Sequence, residues 1–120
     1  MWTWDQSSGK LYHDGIFISR GYSGFDYGKN NPSKQDIKGI GPIPRGHWLI
    51  TGAYHSQNTG PFTIGLVPKF GTDSCGRSDF RIHGDSINNP GNASHGCIIL
   101  PRSIRELIWK SGDDTLEVVE

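Results

Sequence analysis

The sequence lacks a net charge, long apolar runs and more than two cysteines, and each absence excludes a class of protein. Twelve basic residues balance twelve acidic residues over 120 positions, and no run of Lys and Arg stands out. The sequence therefore lacks the electrostatic footprint expected for binding nucleic acid or an anionic membrane surface. Its apolar runs are too short for a membrane span, so we expect no membrane insertion.

A signal peptide and a disulfide scaffold are also not indicated. The start MWTWDQSSGK has no basic segment followed by an apolar stretch, so we expect a protein made in the cytoplasm without a signal peptide. Cys75 lies in the turn-rich run GTDSCGRSD, whereas Cys97 directly precedes an apolar run. These surroundings differ, and two cysteines in a chain of this length permit a bridge without indicating one.

What the sequence has in abundance is glycine and proline. Seventeen Gly and seven Pro favour turns and short strands over helical packing, while apolar residues recur throughout. The length is that of one domain, so we expect a single domain over residues 1–120. We predict a mainly β fold, a small curved β-sheet or sandwich with one or two short helices.

Local patterns place most of the elements. Asp14-Gly15 is a strong hairpin signal inside a three-stranded meander, and Pro101 and Gly112 bracket a short amphipathic helix at about 102–111. The alternation of Trp2 and Trp4 favours core packing, with a carbohydrate-stacking platform as the alternative. The strands are predicted at Trp2–Asp5, Lys10–His13, Ile16–Arg20, His47–Tyr54, Phe62–Pro68 and Thr115–Val119.

Residues 21–46 have six glycines, three prolines and little periodicity, which predicts a long loop with at most a short helical turn near 33–37. Loops longer than about 12 to 15 residues in compact domains are usually functional or disordered. Three aromatic residues argue against disorder. We expect either part of a binding wall or a simple covering of the sheet.

The chemistry is concentrated between Phe80 and Leu100, in FRIHGDSINNPGNASHGCIIL. Apolar residues at both ends predict two strands that present a loop. A thiol attacks as thiolate, so Cys97 needs a neighbouring base, and either His83 or His95 can supply it. The N–H groups of Gly96 and Cys97 are candidate donors to an oxyanion.

Three other interpretations of this segment stay open. His83, Asp85, His95 and Cys97 could converge on zinc, although the sequence has no C-x-x-C or H-E-x-x-H spacing, and we expect neither metal nor cofactor. Cys97 could be a buried structural thiol. Asp85 could complete a Cys-His-Asp triad or could cap a turn of the loop.

His83-Gly84, a variable loop and then Ser94-His95-Gly96-Cys97 resemble the signature of the L,D-transpeptidase catalytic domain. Further strings narrow the resemblance to the small L,D-transpeptidase-like effector domain that bacteria deliver through type VI secretion. These strings are GYSG at 21–24, KNNP at 29–32, GPIPRG at 41–46, RIHGD at 81–85 and GCIILPRSIRE at 96–106. The resemblance covers nearly the whole chain.

The resemblance implies a role for each matching residue. Cys97 would be the nucleophile, and His83 the general base, with its second ring nitrogen held by a backbone carbonyl just after it. His95, Gly96 and Cys97 would shape the oxyanion pocket. Many relatives carry Arg where this chain has Ile99, and Arg102 or Arg81 could replace that Arg. The residues expected to bind substrate are Ser94, Tyr22, Ser23, Asp85 and Arg102.

The implied substrate is a stem tetrapeptide of peptidoglycan, held as a Cys97 thioester. Water as acceptor gives L,D-carboxypeptidase activity, a D-amino acid gives exchange, and another stem gives a cross-link. The resemblance also implies an antibacterial effector that acts in the periplasm of a target bacterium or is secreted, with an immunity protein as partner. We expect a monomer. The alternatives are another cysteine peptidase or amidase, and a non-catalytic wall-binding module built on Trp2, Trp4 and Tyr22.

Overall fold

A computed structural model describes residues 1–120, and their nine strands form one strongly curved sheet. The strand order is β3-β2-β1-β9-β5-β6-β7-β8-β4. The elements are β1 (Trp2–Asp5), β2 (Lys10–His13), β3 (Ile16–Arg20), β4 (Tyr22–Ser23), β5 (Gly46–Ser56), β6 (Gly60–Pro68), β7 (Arg81–His83), β8 (Ile98–Ile99), α1 (Arg102–Ser111) and β9 (Thr115–Val119). The prediction of a mainly β domain with a curved sheet is confirmed.

The meander and the helix follow the local signals of the sequence. β1, β2 and β3 pair antiparallel, with Asp14 and Gly15 at positive φ in the hairpin turn. α1 has its predicted bounds and ends at Gly112, which has a φ of +72°. Pro101 caps the helix from just outside, in an extended conformation, and does not occupy its first turn. No helix is long and apolar enough to cross a membrane.

The sheet nearly closes on itself at Gly21. β3 and β4 are the two edge strands, and Gly21 alone separates them in the chain. The Gly21 N–H donates to the Gly9 carbonyl (2.7 Å), while the backbone of Ile99 lies against the Gly21 Cα. Because Gly21 has no β-carbon, the chain can pass from one edge of the sheet to the other in a single residue.

The long loop differs in detail from the prediction. It contains the short strand β4 and two single 3₁₀ turns, Asp26–Gly28 and Pro32–Lys34, so the helical turn lies slightly earlier than 33–37. β4 pairs antiparallel with β8 through only two residues. Two paired residues give almost no periodic signal in sequence, which is why this strand was missed.

The core lies inside the curve of the sheet and contains both N-terminal tryptophans. Trp2 is 1% exposed and Trp4 is fully buried. The predicted core packing of these rings is confirmed, and a carbohydrate-stacking platform at this place is wrong because no ring face is accessible. The other large buried side chains are Trp48, Leu11, Ile43, Ile64, Ile82, Ile98, Leu100, Ile108 and Leu116.

β7 and β8 are parallel neighbours, with Ile82 opposite Ile98 and His83 opposite Ile99. The predicted pair of strands with a loop between them is confirmed. Because the strands are parallel, residues 84–97 must return from the end of β7 to the start of β8. The candidate chemical residues lie at the ends of this return loop.

We expect Gly21→Ala to destabilise the fold by about 2 kcal/mol or more, because the new β-carbon would overlap the Ile99 carbonyl oxygen. Urea denaturation measures the change. Gly52→Ala is the matched control, since a β-carbon there meets nothing within 4 Å, and it should change the free energy of unfolding by less than about 0.5 kcal/mol. Equal effects of the two substitutions would contradict closure at Gly21.

Candidate active site

A cavity of about 680 Å³ lies over the start of β8 and brings the predicted chemical residues together. His83, Asp85, His95, Gly96 and Cys97 all line it. We call this space the main cavity. Its rim also includes Lys38 and Gly39 of the long loop, so this loop forms part of the cavity wall, and its role in binding stays a prediction.

His83 is buried at the end of β7, with one ring nitrogen fixed. Its Nδ1 lies 2.9 Å from the Gly84 carbonyl oxygen. Because a carbonyl only accepts, Nδ1 carries the hydrogen and the neutral ring keeps its lone pair on Nε2. Burial lowers the pKa of His83, and the charges of Arg105 and Arg81 lower it further. His83 is therefore a neutral imidazole at pH 7, able to accept a proton at Nε2.

The surroundings of Cys97 favour the protonated thiol over the thiolate. Burial raises the pKa of the Cys97 thiol, and this outweighs the opposing effects of an Arg81 hydrogen bond and of the Arg81 and Arg77 charges. The Sγ lies 3.6 Å from the Asp79 carbonyl oxygen, which accepts its hydrogen. Both Cys97 and Cys75 are free thiols, without a bridge between them.

His95 is exposed and is held by contacts with the long loop. Its Nδ1 donates to the Gly39 carbonyl oxygen (3.0 Å), and its ring stacks on Phe25 with 5.0 Å between centroids. Gly96 has a φ of +137°, so His95 and Cys97 do not share a strand face. His95 links the Ser94–Cys97 turn to the long loop. His83, by contrast, lies on β7, the strand next to the one that follows Cys97.

The predicted pair of oxyanion donors needs a correction. The Gly96 N–H donates to Ser94 Oγ (3.1 Å) and is therefore occupied within the protein. The Cys97 N–H has no such partner. Gly96 still has a definite function, because a β-carbon there would overlap Arg77 Nη2 and approach Phe80.

Ser94 and Ser23 are fully buried, and the expectation that they contact substrate is wrong. Ser94 Oγ donates to the Cys97 carbonyl oxygen (2.5 Å) and accepts from the Gly24 N–H (2.9 Å). Ser23 Oγ donates to the Gly96 carbonyl oxygen (2.9 Å). Both hydroxyls form hydrogen bonds with main-chain groups, so they stabilise the Ser94–Cys97 turn from the protein interior.

Asp85 organises the return loop and does not form a triad. Its carboxylate accepts from the Tyr22 hydroxyl (2.5 Å), the Ser86 N–H (2.8 Å) and the Gly91 N–H (3.1 Å). Burial, together with the bond to Asp85, raises the pKa of Tyr22 to about 12, which keeps its hydroxyl a donor. Since His83 Nδ1 is bound to Gly84, the Cys-His-Asp alternative is wrong.

The zinc alternative also finds no support in the arrangement of ligand atoms. The Nδ1 atoms of His83 and His95 bind different main-chain carbonyls, and the Asp85 carboxylate already accepts hydrogen bonds from protein donors. These atoms are therefore not arranged as a shared set of metal ligands. The side chains that do converge within 4.8 Å are His13, Asp14 and Asp113, at the β2–β3 turn and in the segment before β9. There the N-terminal amine already bridges Asp14 and Asp113.

A second space of about 550 Å³ adjoins the main cavity at Gly84 and Asp85. Two other predicted binding residues, Tyr22 and Arg102, line this second space and not the main cavity. We call it the arginine cavity, because three arginines line it: Arg20, Arg102 and Arg105.

Arg77 is a site residue that the sequence did not indicate. Arg77 is 7% exposed, and its guanidinium donates to four main-chain oxygens. Nη1 donates to Gln35 (2.7 Å) and Pro42 (2.9 Å), and Nη2 donates to Gly41 (2.9 Å) and His95 (3.0 Å). All partners are carbonyls distant in the chain, so no local pattern could have revealed the interaction.

We expect Arg77→Lys to lower stability by about 3 kcal/mol, since one ammonium cannot satisfy four carbonyls and buried acceptors left unpaired are costly. Urea denaturation tests this. Arg45→Lys is the control, because Arg45 is exposed and its side chain donates a single bond, to Gln6 Oε1. The reactivity of Cys97 with iodoacetamide should change only in the Arg77 variant. Unchanged stability and reactivity would refute the role of Arg77 as a clamp.

Comparison with known proteins gives one family match, to the model of the Tlde1 domain, over residues 18–118. The matched range includes the long loop, His83, the return loop, Cys97, α1 and most of β9. No curated protein matches the chain. The match covers most of the sequence, and the chain therefore belongs to the Tlde1 domain family of type VI secretion effector domains.

Proposed function

We propose that this protein is an acyl-transfer enzyme that uses Cys97 as nucleophile and His83 as general base on peptidoglycan stem tetrapeptides. The observation that carries the proposal is the His83 Nδ1 contact with the Gly84 carbonyl, which leaves Nε2 of a neutral imidazole as acceptor in the cavity of Cys97. The family match supports the cell wall as target, and the resemblance of the HG and SHGC motifs to L,D-transpeptidases supports the bond attacked.

In the acylation step, the thiol proton passes to His83 Nε2 as Cys97 Sγ attacks the carbonyl carbon before the terminal D-Ala. Burial of both groups favours this concerted transfer over a resting thiolate–imidazolium pair, because it disfavours both charged forms. The tetrahedral intermediate collapses when the C–N bond breaks and the imidazolium gives its proton to the leaving amine. A thioester and free D-Ala result.

The oxyanion of the intermediate has one evident main-chain donor, the N–H of Cys97. The Gly96 N–H is bound to Ser94. Arg77 and Arg81 also line the main cavity and supply positive potential beside the sulfur. His95 contributes by fixing the turn through Gly39, so we assign it a positioning role.

The acceptor decides the product. Water attacks the thioester with His83 as base, and the product is a tripeptide; this is L,D-carboxypeptidase activity. The amine of a D-amino acid attacks in the same way and replaces the terminal D-Ala. In both cases Cys97 Sγ leaves and regains a proton from His83, so the enzyme returns to its starting state.

We further propose that the protein acts as an antibacterial effector in the periplasm of a competing bacterium. Trimming or exchange of tetrapeptides removes donors for wall cross-linking and weakens the wall. A producing cell then needs an immunity protein against its own effector. The antibacterial role and the immunity protein are inferred from membership of the Tlde1 family.

The first test is incubation of purified protein with tetrapeptide muropeptides, with and without D-Met, followed by mass spectrometry. We expect loss of only the terminal D-Ala, and its replacement when D-Met is present. Cys97→Ala should abolish both products, because no thioester can form. His83→Ala should reduce kcat by about 100- to 10,000-fold, the usual contribution of a general base.

His95→Ala is the matched control for the identity of the base. If His95 only positions the turn, its loss should cost less kcat than the loss of His83. The reverse order would assign the base to His95. Cleavage at another bond would instead favour a general cysteine peptidase or amidase.

The second test is the pH profile of kcat/KM. His83 must be neutral to accept a proton, and its pKa lies below the ordinary 6.5, so activity should rise with pH through a midpoint below 6.5. The pKa of Cys97 lies above the ordinary 9.0, so alkylation by iodoacetamide should keep accelerating above pH 9. Rapid, pH-independent alkylation near neutrality would show a preformed thiolate and contradict the mechanism.

A further inference from the structure

The arginine cavity lies outside the proposed chemistry and has an unbalanced charge. Arg20, Arg102 and Arg105 line it together with a single carboxylate, that of Asp85. That carboxylate already accepts from Tyr22 and from two main-chain N–H groups. It is therefore a poor counter-ion for the guanidinium groups around it.

The three arginines differ in what they bind. Arg105 is 5% exposed and donates to the carbonyl oxygens of Phe62, Leu100 and Pro61, with no carboxylate among its partners. Arg102 pairs with Glu106 through Nε (2.9 Å) and is half exposed, and Arg20 has no acidic partner. Two of the three positive charges thus lack an anion, and the chain as a whole is neutral.

We propose that the arginine cavity binds a free carboxylate of the donor stem peptide, at a residue on the amino-terminal side of the bond that is cleaved. Guanidinium groups suit carboxylates because their N–H donors match the two oxygens. This inference rests on the proposed function for the identity of the substrate. Two carboxylates of the stem fit the description, the α-carboxylate of γ-linked D-glutamate and the side-chain carboxylate of meso-diaminopimelate.

The position of the cavity favours the donor stem over a free D-amino acid. Neither Cys97 nor His83 lines the arginine cavity, which meets the main cavity only at Gly84 and Asp85. A single amino acid holds its carboxylate and its reacting amine one carbon apart, so it cannot occupy both spaces. A tetrapeptide can, with its cleaved bond in one cavity and an earlier residue in the other.

The test uses three synthetic tetrapeptides: one with both carboxylates free, one with the D-glutamate α-carboxylate amidated, and one with the diaminopimelate side-chain carboxylate amidated. Binding is measured by calorimetry to the Cys97→Ala variant, in which no turnover occurs. We expect one amidation to weaken binding by about 5-fold, the size of a partly exposed ion pair. The peptide that loses affinity identifies the carboxylate.

Two substitutions, each added to the Cys97→Ala variant, should change the loss of affinity on amidation in opposite directions. Arg102→Gln should reduce the penalty for amidation to nearly none. Glu106→Gln should enlarge it, because Arg102 loses its competing partner. Lys69→Gln removes a charge from the loop after β6, away from α1 and from the arginine cavity, and should leave the penalty unchanged. Opposite shifts cannot come from partial unfolding, which would weaken binding of all three peptides alike.

The inference is overturned if neither amidation changes affinity, or if the penalty survives in both Arg102→Gln and Arg20→Gln. Its failure is distinct from failure of the proposed function. If wild-type protein trims free and amidated tetrapeptides equally well, only the proposed carboxylate subsite is refuted. If the Cys97→Ala variant binds in a carboxylate-dependent way but wild-type protein does not trim the peptides, only the proposed acyl transfer is refuted.

Discussion

The parallel pairing of β7 with β8 is the constraint on which the rest of the site depends. Antiparallel neighbours can be joined by a two-residue turn, but parallel neighbours need a connection of about a dozen residues or more. Here the connection is the irregular stretch 84–97, because no helix fills it. The geometry of the sheet therefore forces a long loop to run from His83 back to Cys97, over the ends of both strands.

A loop of this kind has few ladder hydrogen bonds, so side chains must hold it in place. Asp85 binds its first half through Ser86 and Gly91, and Tyr22 links that half to β4. Its second half is held by buried hydroxyls, with Ser94 bonded to the Cys97 carbonyl. The polar residues of the motif thus contribute mainly to the shape of the turn, whereas Cys97 and His83 are the proposed reactive groups.

The elements that could be predicted from sequence are those determined by a few neighbouring residues. Asp14-Gly15 defines a hairpin and Gly112 ends a helix because each conformation depends on one or two residues. The resemblance of the HG and SHGC motifs pointed to His83, His95 and Cys97, which the structure places around one cavity. Their partners could not be predicted, because the Gly39 carbonyl that binds His95 and the carbonyls that bind Arg77 come from distant loops. The same limit explains the error at Ser94 and Ser23, where motif membership carried no information about burial.

Two buried guanidinium groups give the site its electrostatic character. Arg77 contacts the turn that carries Cys97, and Arg105 lies beside Gly84, next to His83; both bind carbonyls and lack a carboxylate. Their charges act in opposite senses on the two reactive groups, since the Arg105 charge opposes the imidazolium and the Arg77 charge favours the thiolate. Burial opposes both charges. The resting pair is therefore neutral, and in the proposed acylation the negative charge of the tetrahedral intermediate would meet a positive field that needs no rearrangement.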